Sequence, residues 1–124
     1  MTQSLVTADV FNRLRQVMAS DPGGFCELYR DYLSDARQTL NQLRALCEKR
    51  SGRELGFKAH YLKSSSLVLG VRPVAELCTE LEHSAQEFEF ISAEQRLQEL
   101  ADSLKLVQCE LEQKLGPQVI PAAA

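Results

Sequence analysis

Two histidines stand in this chain, and each has a neighbour that gives it chemical possibilities. His60 lies in FKAHYLKSSSLVLG, residues 57–70, with Lys63 three residues on and three serines after it. His83 closes an E-x-x-H pair with Glu80. An imidazole has a reference pKa of about 6.5, so near neutral pH it can bind a metal, attack as a nucleophile, or do nothing. The E-x-x-H unit is used by di-iron four-helix bundles, which need two such pairs and two more inward glutamates. Only one pair is present, and helical spacing puts His83 on a polar side with Glu76, Glu80 and Glu87. A surface ion pair between positions i and i+3 explains it better, and no metal site is expected. Cys26, Cys47, Cys78 and Cys109 form no CxxC pair and lie among apolar helical positions or beside them. They read as small buried or half-buried hydrophobes.

The elements that must position His60 are helices, because i, i+3, i+4 spacing dominates the chain. Thr7 is placed to cap a short first helix with Val10, Leu14, Val17 and Met18 on one side. SDPGG at 20–24 interrupts the pattern. A long second helix carries Phe25, Leu28, Tyr29, Tyr32, Ala36, Leu40, Leu43 and Cys47, and ends near Ser51 and Gly52. The third is expected from Arg53 to Leu69, stopping at Gly70. Pro73 suits the first turn of a fourth helix with Val74, Leu77, Cys78, Leu81 and Ala85. The last runs from Ser92 along Leu97, Leu100, Leu104, Val107, Leu111 and Leu115 to Gly116 and Pro117. Short connections imply antiparallel neighbours. The fold class is therefore all-α: an antiparallel up-down four-helix bundle with a short additional N-terminal helix. One domain is expected over 1–124, with its core at about 5–115 and a loose tail at 116–124.

At about 100° per residue, Leu55, Ala59, Leu62, Ser66 and Leu69 share one stripe of the third helix, which must face the core. His60 points about 140° away, towards solvent. Lys63 lies at i+3 from it, Ser64 at i+4, Leu67 at i+7 and Phe57 at i−3. A surface histidine of no consequence leaves Phe57 and Leu67 unexplained. A nucleophile explains more: a neutral imidazole can take a phosphoryl group, Lys63 supplies positive charge beside its oxygens, and small Ser64 leaves room for a partner. Phe57, Leu67 and Val68 are candidates for an apolar rim, although Phe57 and Val68 are equally open to packing under the first helix.

Composition excludes other classes. Net charge is −3 with basic residues scattered, unlike the basic stripe of a nucleic-acid binder. No apolar run approaches the roughly 18 residues that span a bilayer, and the N-terminal residues lack a signal-peptide pattern. A cytoplasmic protein is expected.

AHYLKSSSLVLGVRPVAELCTELE, residues 59–82, resembles the signature of histidine-containing phosphotransfer (HPt) domains, roughly A-H-x-L-K-G-S-[SA]-x-x-L-G-A and a leucine-cysteine-leucine-glutamate trail. The matching residues are Ala59, His60, Leu62, Lys63, Ser65, Ser66, Leu69 and Gly70, then Cys78, Leu81 and Glu82. Ser64 and Val71 stand where the family usually has glycine and alanine. The resemblance implies that His60 is the phosphoacceptor, that Lys63 supports it electrostatically, and that Ser64 lies where a partner's loop passes; Phe57, Leu67 and Val68 are the candidates for the apolar part of that docking surface. It implies receiver domains of hybrid sensor kinases and response regulators as partners, with magnesium held on the receiver and no cofactor on this chain. The expected role is a monomeric phosphate carrier without kinase activity of its own. No kinase, ATP-binding or receiver segment accompanies the motif, so a stand-alone shuttle is expected. The alternative is a helical adaptor of the same fold that is never phosphorylated.

Overall fold

The computed structural model describes residues 4–122, which form five α-helices: α1 Ala8–Val17, α2 Pro22–Glu48, α3 Gly52–Val68, α4 Arg72–Gln86 and α5 Phe90–Leu115. A 3₁₀ turn, Pro117–Val119, follows. Helices α2 to α5 pack in a ring, each against the next, and α5 closes on α2; the tightest pairing is α3 with α4. This is the expected four-helix bundle with a short extra N-terminal helix. Among the described residues no helix is long and apolar enough to cross a membrane.

Local chemistry sets the helix limits. SDPGG holds both the break and the first turn of α2: the Asp21 carboxylate accepts from the Gly24 amide at 2.9 Å, and Pro22 opens the helix. Helices α2, α3 and α4 end in the same way. A residue with positive φ follows each cap, Arg50 at 56°, Gly70 at 76° and Phe88 at 55°. The next amide then reaches back five residues, from Ser51 to Leu46, Val71 to Ser66 and Glu89 to Ser84, at 2.8 to 3.0 Å. These are Schellman endings. Glycine pays nothing for this conformation, whereas Arg50 and Phe88 each adopt it at a cost of about 1 kcal/mol. The stop signal of α2 thus lies on Arg50, after the Lys49 cap and just ahead of the expected Ser51 and Gly52. Gly52 instead opens α3, where a Cβ would stand 2.9 Å from the Ala85 carbonyl oxygen, so its lack of a side chain lets α3 meet α4 closely.

The expected core stripe of α3 is buried throughout: Leu55, Ala59, Leu62, Ser66 and Leu69. Two buried tyrosines tie α2 to it. The Tyr29 hydroxyl donates to the Leu69 carbonyl at 3.0 Å, and the Tyr32 hydroxyl bonds Ser66 Oγ at 2.7 Å. Ser66 Oγ in turn donates to the Leu62 carbonyl at 2.7 Å. Burial pushes the Tyr29 phenol up to about 12 and raises that of Tyr32, so both stay neutral donors. Every polar atom of this chain of bonds is met, which fixes how α3 sits rotationally on α2.

Four expectations need correction. In α1 the buried residue is Phe11, which forms an aromatic cluster with Phe25 and Tyr29 at centroid distances of 5.1 and 5.5 Å, while Val17 is 76% exposed. Thr7 stands at the cap position, but its hydroxyl donates to the Gly70 carbonyl at 3.0 Å. With the Val6–Val71 bridge, that bond straps the N-terminal segment across the α3–α4 junction. The segment from 116 is not loose at its start: Val119 is fully buried and Ile120 packs on the core. Cys109 is exposed, whereas Cys26, Cys47 and Cys78 are buried as expected, and all four are free thiols.

Candidate functional site

His60 sits midway along α3, on the face opposite the buried Ala59 and Leu62, with its side chain 63% exposed. The site is built by the α3–α4 pairing. Ala59 and Leu62 on α3, and Cys78 and Leu81 on α4, are all fully buried. That packing brings Glu82 of α4 up beside His60. Glu82 Oε2 lies 3.3 Å from His60 Nδ1, and Oε1 lies 3.4 Å from Lys63 Nζ. The carboxylate is 30% exposed and the lysine 28%, so histidine projects from a half-buried ion pair.

The contact distinguishes the two ring nitrogens. A carboxylate 3.3 Å from Nδ1 favours the tautomer with the proton on Nδ1, because a bare lone pair there would face negative charge. In that tautomer Nε2 carries the lone pair. Lys63 meets Glu82 as an ion contact without hydrogen-bond alignment, and Glu82 Oε1 has no other partner among the described residues. The ammonium is therefore held close but loosely. Cys78 is near both charges, yet burial first and the Glu82 charge second push its thiol up to about 12, outweighing Lys63. It remains a neutral thiol, inert as a nucleophile.

Around the histidine the surface is apolar. Phe57 is 65% exposed, Leu67 55% and Val68 69%, so Phe57 and Val68 do not pack beneath α1. Ser64 is exposed as well, but its hydroxyl donates to the His60 carbonyl at 3.1 Å and lies folded along the helix. It takes up little more of the approach to His60 than glycine would. On one side a groove of about 540 Å³ runs past Gly52, Gly56, Phe57, Ala85 and Phe88. On the other, a shallower one of about 300 Å³ lies between Leu67, Lys63 and Arg72. The structure thus gathers all six site residues anticipated from the sequence, His60, Lys63, Phe57, Ser64, Leu67 and Val68, on the exposed side of α3.

Two residues that sequence reasoning did not single out join them. Glu82 was visible only as the last matched position of the motif, and nothing local says that it reaches His60. Phe88 is an aromatic residue 70% exposed in a left-handed turn conformation, on the rim of the larger groove. The other pairing expected on α4 is different in the structure: Glu80 meets Arg96 of α5 at 3.6 Å, not His83. Among the described residues no three His, Cys, Asp or Glu side chains are grouped closely enough to hold a metal ion.

A family model of the Hpt domain matches residues 27–116. Among solved structures, the chain is similar to the crystal structure of histidine-containing phosphotransfer protein B (HptB) from Pseudomonas aeruginosa PAO1. That similarity has a TM-score of 0.83 at 23% identity and covers 92% of this chain and 96% of that one, so the two share a fold. No curated protein sequence matches significantly. Hpt proteins are phosphocarriers rather than kinases and hold no cofactor. With most of its bundle inside the family match, this chain belongs to the Hpt domain family, whose members carry out histidine phosphotransfer in phosphorelays.

Proposed function

We propose that His60 is the phosphoacceptor and that the chain shuttles a phosphoryl group between the aspartates of receiver domains. The observation that carries this reading is the pair of contacts at Glu82, which favours the tautomer that carries the lone pair of this exposed histidine on Nε2. In the step, Nε2 attacks the phosphorus of an aspartyl phosphate in line. The P–N bond forms as the P–O bond to the aspartate breaks, and the carboxylate leaves with the electron pair. The ring becomes an N-phosphorylated imidazolium while Nδ1 keeps its proton, and the Glu82 carboxylate 3.3 Å away offsets that positive charge. Lys63, loosely held, swings towards the phosphoryl oxygens. The same step in reverse loads the second receiver. Magnesium belongs to the receiver's acidic pocket in this scheme, since among the described residues Glu82 is the one carboxylate in ion-pair contact with His60 and Lys63.

Phe57, Ser64, Leu67 and Val68 form the docking surface, extended by Phe88. A relay needs contacts that form and break, which favours a small interface, below about 1,200 Å² in total. The carrier works as a single-domain monomer in the cytoplasm, where a reducing medium keeps its cysteines as thiols. The test is transfer of labelled phosphate from phosphorylated receiver domains to the wild type and to His60→Gln. Acid-labile, base-stable label on the wild type alone supports the reading. No label from a broad panel of receivers would leave a helical adaptor.

A further inference from the structure

Two residues that line the groove of about 540 Å³ beside His60 are ones that local helix chemistry disfavours. Phe88 holds the left-handed turn after α4 at a φ of 55°, a position that Gly70 fills after α3. A side chain is strained there, and this one leaves its ring 70% exposed. Arg50 adopts the same conformation after α2, but its guanidinium lies over the Phe90 ring at 5.3 Å, an internal contact that accompanies the strain. Phe88 only leans on the bare backbone of Gly52, with its centroid 6.4 Å from that of Phe90. Gly56 is the second. It sits inside α3, where alanine is the better helix former. A Cβ there would lie 3.7 Å from Ala85 Cβ, an ordinary contact, so packing between the helices does not require glycine.

Sequences break local rules where function requires it, and here both breaks fall on one groove. The phenylalanines point the same way. Of the five in the chain, Phe11, Phe25 and Phe90 are buried, and the two exposed ones, Phe57 and Phe88, both line this groove. His60 and Glu82 line it too, so a receiver whose aspartyl phosphate reaches His60 must overlie it. That continuity names the occupant. Glu82 is engaged by His60 and Lys63, and Arg53 lies over the Phe57 ring at 5.7 Å, so what the groove offers between them is phenyl and glycine surface.

We infer, on the reading that a receiver domain loads His60, that this groove is a subsite for an apolar side chain of that receiver, with Phe57 and Phe88 as its aromatic contacts and Gly56 as the bare backbone it seats against. An aromatic side chain has about 150–250 Å² to bury, so Phe88 at 70% exposure offers roughly 105–175 Å². Covering half of that corresponds to about 10- to 40-fold in affinity.

The test follows the initial rate of phosphoryl transfer to the full chain against the concentration of one receiver domain that loads the wild type, phosphorylated with acetyl phosphate. Glycine and asparagine both accept positive φ. In Phe88→Gly and Phe88→Asn the half-saturating concentration should rise about tenfold or more, with the rate at saturation held within about twofold. Phe88→Gly should melt within about 4 °C of the wild type, because relief of the strained turn offsets the lost ring contacts. Phe88→Leu should recover most of the affinity. Gly56→Ala should also raise the half-saturating concentration, yet raise the melting temperature by about 2–5 °C. A merely structural role would not weaken binding in a chain made more stable. An alanine scan of the receiver's exposed apolar residues should find one whose loss no longer adds to that of Phe88→Asn. The inference is overturned by unchanged half-saturation in the Phe88 variants, by a loss confined to the rate at saturation, or by additivity with every receiver residue scanned. No transfer to the wild type from any receiver would instead refute the carrier reading itself, and the inference with it.

Discussion

Replacing Glu82 with glutamine tests the proposed transfer mechanism most directly. The carboxylate lies 3.3 Å from Nδ1 and is 30% exposed, so its field is neither fully screened nor that of a dry interior. With an effective dielectric constant of about 40 to 80, a unit charge at that distance stabilises the imidazolium of the phosphorylated ring by about 1 to 2.5 kcal/mol. Glutamine keeps an acceptor for the Nδ1 proton and removes the charge. Forward transfer from a phosphorylated receiver should therefore slow by about 5- to 70-fold, and the equilibrium should shift towards aspartyl phosphate in the same sense. Glu82→Ala, which also frees the ring to expose either nitrogen, should be slower still. One effect opposes this. Glu82 also partly neutralises Lys63 at 3.4 Å, and without it the ammonium is free for the phosphoryl group. The tighter alignment at Nδ1 decides for net loss, and a cycle with Lys63→Met separates the two contributions. Rapid-quench measurement with a purified receiver gives the rates. Transfer by Glu82→Gln at the wild-type rate would refute the idea that this carboxylate orients and charges the histidine.

Three further outcomes follow from the packing. Ser66→Ala leaves the buried Tyr32 hydroxyl without its partner and should cost about 1–3 kcal/mol in urea unfolding. Tyr32→Phe leaves Ser66 still bonded to Leu62 and should cost less, about 1 kcal/mol. Gly70→Ala forces a side chain into a φ of 76° with its Cβ 2.9 Å from Val10 Cβ, and should lower stability by about 2 kcal/mol and loosen α1, seen by amide exchange. Burial alone would raise the Glu110 carboxyl, but the amides of Leu5 and Val6, with Lys114, hold it below its ordinary 4.5. Because the folded value is the lower one, its contribution is complete above about pH 4.5 and is lost as pH falls through the folded value. Glu110→Gln should flatten that acid limb of thermal melts recorded against pH.

The face of α3 was legible in advance because helical spacing is a local property. Leu55, Ala59, Leu62, Ser66 and Leu69 had to turn inward together, and that alone sent His60, Lys63, Ser64 and Leu67 outward. Gly70 marked the end of its helix because positive φ suits glycine. The same chemistry hid the ends at Arg50 and Phe88, where ordinary side chains adopt that conformation. Phe11 was missed because α1 shows several apolar residues in ten, and only the aromatic cluster with Phe25 and Tyr29 selects its buried side. Thus the periodicity of the chain determined its helices, their order and the solvent-facing histidine. What tertiary structure alone decided is the chemistry around that histidine. Glu82 is 22 residues away, and no local rule joins it to His60. The contact exists because Ala59 and Leu62 pack against α4, with Cys78 and Leu81 buried on that helix, and rigid helices then carry the exposed side chains into register.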